Sequence, residues 1–143
     1  MTPELLVVPF RRHHYEWLSP RAEGGRLPPM SAALFAQLEA SNSWTGVVDG
    51  EPVVCAGTVQ AWPGRHQAWA YVTRGTLRLM PQITAAVKQN LAGVKGRVEF
   101  TVRADFPAGL RWARTLGFEV ETPRLRAFGL DGEDHVGFVR ANV

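Results

Sequence analysis

The chain reads as an α+β protein with an α/β unit inside it, built on a central twisted mixed sheet of about six to seven strands with about four helices. Three observations carry this expectation. The stretch Gln67–Val120 runs QAWAYV, TRGTLRLMPQITAAVKQNLAG, RVEFTVRAD and FPAGLRWARTLGFEV, which is strand, helix, strand, helix, strand. Such a unit joins parallel strands through a right-handed crossover. Before it, three β-type runs follow one another across tight turns, as in an antiparallel meander. Ahead of the meander lie a short apolar run and two helical segments.

Taken in order, Leu5–Phe10 is an apolar β-type run and Arg11–Leu18 (RRHHYEWL) makes two helical turns. Ser19-Pro20 ends them, because a residue before proline avoids the helical region. Arg21–Pro29 is loop, punctuated by Gly24-Gly25 and Pro28-Pro29. Met30–Ala40 is a second helix with Met30, Leu34 and Leu38 on one face. Trp44–Val48 and Pro52–Ala61 flank Asp49-Gly50, a strong hairpin signal, and Pro63-Gly64 turns the chain into Gln67–Val72.

Met80, Ile83, Val87, Leu91 and Val94 recur at spacings of three and four and mark the third helix. Pro81 is tolerated only in a first turn, so this helix begins near Arg78–Met80. Arg97–Ala104 alternates, with Val98, Phe100 and Val102 on one face and Glu99, Thr101 and Arg103 on the other. Pro107 opens the fourth helix, whose buried side carries Leu110, Ala113 and Leu116, and Gly117 caps its end. Phe118–Glu121 is the next strand. Arg124–Leu130 and His135–Val139 read as a last hairpin around Asp131-Gly132. No repeat, low-complexity tract or linker interrupts the 143 residues, and one domain is expected.

Hydrophobic residues make up 45% and charged residues 20%, the composition of a globular protein. No run of about 18 apolar residues is present, which argues against a membrane helix. MTPELLVVPF lacks a basic lead-in and a small-residue cleavage site and reads as a first strand. The single cysteine, Cys55, excludes an internal disulfide and suits a reducing cytoplasm. Of the 16 basic residues, 14 are Arg. Their excess reads first as genome composition, with Arg solvating the surface, and second as an anionic partner such as a phosphate-bearing cofactor or nucleic acid, while their scatter argues against nucleic acid.

Two segments carry a family resemblance. ARTLGFEV (Ala113–Val120) resembles the last helix and "LGF" strand of the GNAT acyltransferases, the Gcn5-related N-acetyltransferases. YVTRG (Tyr71–Gly75) sits where that family's fourth strand meets its pyrophosphate loop. The resemblance implies the GNAT fold and transfer of an acetyl or acyl group from acyl-CoA to an amine, on a small molecule or on a protein. It implies acyl-CoA lying between the Gln67–Val72 and Arg97–Ala104 strands, with Val72, Thr73, Arg74, Gly75 and Arg78 as the cofactor-binding residues. The family's loop places two small residues where this chain has Leu77 and Leu79, and side chains there are expected to crowd the pyrophosphate. Ala113 stands where many members carry an acid Tyr, and Asp105 and Phe106 stand nearest the position of a cofactor-contacting Asn.

A proton acceptor for the amine is needed in such a transfer. Glu99, central in its strand, and Glu16, in the first helix beside His13 and His14, are the candidate bases. Glu99 also fits a solvent-facing alternation position. Adjacent histidines point about 100° apart on a helix, so His13 and His14 serve different surroundings. His66 and His135 lie at turns, and Asp131, Glu133, Asp134 and His135 read as turn chemistry rather than a metal cluster. Cys55 reads as a small buried hydrophobe. Most of the five tryptophans read as core, with Trp62 beside Pro63-Gly64 exposed.

Three readings stay open at this point. One is an acyltransferase using acyl-CoA and no metal. The second keeps the fold without turnover, resembling the internal (core) virion proteins of tailed phages, with virion proteins as partners in a virion or infected cell. The third is a basic nucleic-acid-binding module. No membrane partner is expected, and a homodimer stays open.

Overall fold

The computed structural model describes residues 3–142. The elements are β1 (Leu6–Pro9), α1 (Arg12–Leu18), α2 (Ala32–Ala40), β2 (Asn42–Val48), β3 (Glu51–Trp62), β4 (Arg65–Val72), α3 (Met80–Ala92), β5 (Gly96–Arg103), α4 (Pro107–Thr115), β6 (Glu119–Leu125) and β7 (His135–Asn142). Short 3-10 turns at Ser19–Arg21 and Leu77–Leu79 follow α1 and precede α3. The strands form one seven-stranded sheet in the order β1-β2-β3-β4-β5-β7-β6. β4 and β5 are parallel, while β1-β2, β2-β3, β5-β7 and β6-β7 are antiparallel. The expected mixed sheet with four helices is what the chain forms.

The contacts group into two compact units, one holding the chain through Val59 together with Trp69–Gly93, the other holding Gln60–Ala68 and everything from Val94. In the first unit, Phe10, Tyr15, Leu18, Phe35, Leu38 and Cys55 form a core, with Trp69 and Tyr71 of β4 packed against it. The aromatic members meet edge to face: Phe10 and Trp69 at 5.3 Å, Tyr15 and Phe35 at 5.4 Å, Tyr15 and Tyr71 at 5.9 Å. α2 is capped by Ser31, whose hydroxyl accepts from the Leu34 amide at 3.1 Å. α3 buries Ile83, Val87 and Leu91, and Gln82 ties down the chain before β1 by accepting from Leu5 N and donating to Pro3 O.

In the second unit, Val98, Phe100 and Val102 are buried on one side of β5 as the alternation predicts. α4 approaches β5 at Gly109, where a β-carbon would lie 2.9 Å from Val102 Cγ1 and 2.6 Å from the Phe106 ring. Phe118 follows the α4 cap, its ring 5.5 Å from Phe100 and its amide donating to Ala113 O.

Three expectations are corrected. The buried face of α2 is Phe35 and Leu38, with Leu34 at the surface and Met30 ahead of the helix. The first step of this apolar face is three residues rather than four, and both fit a 3.6 repeat. The last hairpin does not start at Arg124. The chain runs as one irregular edge strand from Glu119 to Leu125, carrying Pro123 where no ladder donor is needed. Ala127 then takes a positive φ of 48° and residues 126–134 form a loop held by Asp134, which accepts from Ala127 N and from Arg124. On α4 the buried positions are Gly109 and Ala113, followed by Leu116, and Leu110 is only half-buried.

Candidate functional site

The end of β4 and the turn after it are fixed by neighbours within the first unit. Thr73 N donates to Val53 O at 3.0 Å, Glu23 N to Val72 O at 2.8 Å and Arg74 N to Arg21 O at 2.8 Å. Ala22 and Thr73 thereby form an antiparallel bridge, so the segment after α1 lies alongside the end of β4. Gly75 takes φ 77°, a left-handed conformation that an L side chain enters only with strain. Nothing lies within 4 Å of where its β-carbon would stand. Thr76 is buried and donates its hydroxyl to Thr73 O at 3.0 Å, which closes the turn. Leu79 N then donates to Thr76 O at 2.8 Å and α3 begins at Met80, with Pro81 in its first turn as its missing N–H requires.

Leu77 and Arg78 open the Leu77–Leu79 turn, so their amides lie ahead of its first internal hydrogen bond, from Leu79 N to Thr76 O. These amides are the donors of a helix start, gathered after a glycine turn, an arrangement that suits an anion. Arg78 is exposed on the same turn. The expected crowding by two leucines takes a different form. Leu79 is buried in the interior, and Leu77 is 86% exposed.

Arg74, expected to hold phosphate, has contacts of its own. Its amide is already committed to Arg21 O, and its guanidinium reaches the carbonyls of Ala22 and Pro20 at 3.4 Å each. There it lines an open depression of about 270 Å³ together with Trp17, Arg21, Glu51, Pro52, Val53 and Thr73. Val72, Thr73, Arg74, Gly75 and Arg78 are thus gathered on one short stretch, but Arg74 and Arg78 serve different surroundings.

Both candidate bases are held in ion pairs. Glu99 is held in the second unit by Arg65, Nε to Oε2 at 2.7 Å and Nη2 to Oε1 at 2.8 Å, and by Arg97, Nε to Oε2 at 2.7 Å. Arg97 also grips Glu121 with two hydrogen bonds. The Arg65 hydrogen bonds, and then those of Arg97, hold the Glu99 carboxyl down to about 2. A carboxylate so paired is a poor proton acceptor for an amine. Glu16 lies exposed on α1 in an i,i+4 pair with Arg12 at 3.4 Å.

His13 and His14 do not part as expected: their ring centroids lie 4.3 Å apart. His14 Nδ1 accepts from the Arg11 amide at 3.1 Å and lies 2.8 Å from the Thr45 hydroxyl, and burial, then the charges of His13 and Arg11, lower its pKa. Thr45 is fully buried and lies 3.7 Å from Cys55 Sγ. Burial pushes the Cys55 thiol up to about 12, as befits a core residue.

His66 lies within β4 opposite Val98. His135 opens β7 with partners that the sequence did not show. Its Nε2 lies 3.4 Å from Glu133 Oε1, and its ring is 5.0 Å from that of Phe128. Ala113, where the resemblance places an acid Tyr, is fully buried, and Asp105 is paired with Arg103. Among the described residues no group of three His, Cys, Asp or Glu side chains has the arrangement of a metal site, and no helix is long and apolar enough to cross a membrane. Trp62 is 57% exposed with Arg65 stacked 4.6 Å from its ring, and Trp44 is buried.

Comparison with known proteins finds likeness in structure only. No protein-family model matches the chain, and no curated protein matches its sequence. Among solved structures, Ard1 from Thermoplasma volcanium superposes with a TM-score of 0.76 at 15% identity, covering 97% of this chain and 98% of that one. A ribosomal-protein alanine N-acetyltransferase from Escherichia coli gives 0.67 at 20% identity over 96% and 94%. An acetyltransferase of the GNAT family from Streptococcus pneumoniae gives 0.69 at 12% identity over 98% and 100%.

Proposed function

We propose that this chain, whose fold is that of the GNAT acetyltransferases, is an N-acyltransferase that takes an acyl group from acyl-CoA to an amine. The observation that supports this best is the turn after β4, a left-handed Gly75 followed by the opening amides of Leu77 and Arg78 just ahead of α3. The residues there suit a pyrophosphate. The Leu77 and Arg78 amides supply the donors of a helix start and Arg78 supplies the charge. Thr76 holds the turn in shape from beneath, and Val72 and Thr73 set the strand end from which it departs. Acyl-CoA brings an acyl carbon already activated as a thioester.

The chain's own contribution is binding and orientation. In the transfer the amine nitrogen bonds the acyl carbon, the carbon–sulfur bond breaks, and the amine gives up a proton. The thiol of the leaving group has a pKa near 8.5, so it departs as thiolate without a dedicated acid, in keeping with Ala113. With Glu99 locked between two guanidiniums, the proton passes to solvent, and the rate rises with pH as more of the amine is unprotonated.

A thiol-release assay tests this. The protein at micromolar concentration is mixed with acetyl-CoA and a panel of amines that spans polyamines, amino acids and peptides with a free N-terminus. Protein-dependent thiol release that requires one class of amine supports the reading. No release above the protein-free rate for any class, across pH 7 to 9, contradicts it.

A further inference from the structure

We propose that the depression beside Thr73 and Arg74 is a recognition site for an oxyanion, a carboxylate or a phosphate monoester, carried by the acceptor amine. Its assignment to the acceptor rests on the acyltransferase reading above. The depression holds two guanidiniums from chain segments that the fold locks together. The central carbon of the Arg21 guanidinium sits over Trp17, 3.6 Å from the ring centre, and Nη1 donates to Trp17 O at 2.6 Å. A guanidinium held by a ring and one carbonyl keeps its other N–H groups for a partner, and its fork suits a planar or tetrahedral oxyanion.

Arg74 enters the same depression from the other segment, restrained by two long 3.4 Å contacts to carbonyls. The Arg74 N to Arg21 O hydrogen bond and the Ala22–Thr73 bridge fix the two backbones against each other. Two cations thus line one depression whose lining holds a single carboxylate, Glu51. Among the described residues, neither Arg21 nor Arg74 has a carboxylate within ion-pair distance, although Glu51 lines the same depression. Glu51 leaves a place for the cationic part of the same ligand. At about 270 Å³ the space is below that of whole-ligand pockets, so it takes a group the size of one side chain. An acceptor that bears an acidic group near its amine matches these features, and a polyamine does not.

The test uses the full chain, labelled with nitrogen-15, and two probes, glutarate and inorganic phosphate. Saturable shifts at the Trp17 indole and the Val53, Thr73 and Arg74 amides, with a dissociation constant in the millimolar range, are expected for one or both probes. The tighter probe identifies the oxyanion. Arg21→Gln weakens that binding about tenfold or more, from the loss of a charge-assisted pair, and Arg21→Lys, which keeps the charge without the fork, recovers only part of it. The same Arg21→Gln protein leaves acetyl-CoA affinity unchanged, and acetyl-CoA does not displace the probe. Absence of shifts at these positions in the wild-type chain overturns the proposal. So does equal probe affinity in Arg21→Gln, and so does displacement by acetyl-CoA, which makes the depression part of the cofactor site. Probe binding without any acetyl-CoA binding sustains the oxyanion site while removing the acyltransferase reading and, with it, the assignment to an acceptor.

Discussion

Arg65 of β4 and Glu99 of β5 are joined by a pair of hydrogen bonds, Nε to Oε2 at 2.7 Å and Nη2 to Oε1 at 2.8 Å, beside the parallel ladder that pairs Gln67 with Glu99. That ladder runs over three residue pairs, from Arg65↔Arg97 to Gln67↔Glu99. The ion pair therefore reinforces the short parallel join, and it removes the most central strand carboxylate from acid–base chemistry. Glu99→Gln is expected to lower stability by about 1 kcal/mol, because the pair is only partly screened from water. Its pH dependence has a definite sign. The Glu99 carboxyl is held down to about 2, below its unfolded value, so its contribution is present above about pH 4.5 and is lost as pH falls toward 2. Thermal unfolding followed from pH 5 to 2.5 checks this: the wild-type midpoint falls more steeply than that of Glu99→Gln.

His14 gives a second pH-dependent term. Its Nδ1 accepts from Arg11 N and meets the Thr45 hydroxyl, so protonation there sets a donor against the Arg11 amide. Burial, then the neighbouring charges of His13 and Arg11, lower its pKa, with Glu39 opposing them. A histidine whose folded value is depressed contributes stability above its unfolded value near 6.5 and loses it as pH falls below that. The unfolding midpoint is expected to drop between pH 7 and pH 5, and His14→Gln is expected to flatten that drop.

Gly96 marks where β5 begins. It takes φ 93°, and a β-carbon there would lie 2.6 Å from Gly64 O, the acceptor of the Arg97 amide. Left-handed strain and a backbone clash combine, so Gly96→Ala is expected to cost more than about 2 kcal/mol in denaturant unfolding. A cost under about 0.5 kcal/mol would show that the close approach of the Gly64 turn to β5 is not as described.

Leu18 tests the first unit's interior. It is fully buried in the core that also holds Phe10 and Tyr15. Leu18→Ala removes buried methyl groups and leaves a cavity, and a loss of about 2–5 kcal/mol in chemical unfolding is expected.

The local rules were legible in the sequence. Asp49-Gly50 placed the β2–β3 hairpin, Pro81 placed the start of α3 within a turn, and the alternation around Val98 named the buried face of β5. Helix and turn chemistry act over a few residues, and those residues adjoin in the chain. What escaped was long-range or marginal. The grip of Arg65 on Glu99 joins residues 34 apart, and the depression draws on Trp17, Arg21, Glu51 and Arg74, which no spacing rule connects. Arg124–Leu130 was expected as one arm of a hairpin, but the strand ends at Leu125, and Ala127 takes a positive φ that composition does not announce. The aim of the Arg74 side chain was equally invisible, since a motif position states the residue and not where its side chain points.

The most direct test of the account is a titration of the nitrogen-15-labelled chain with acetyl-CoA up to about 1 mM, read at individual amides. Saturable shifts centred on Gly75, Thr76, Leu77 and Arg78, weakened by Arg78→Gln, are the expected result. A spectrum in which those four amides do not move at that concentration, while the chain remains folded, contradicts it.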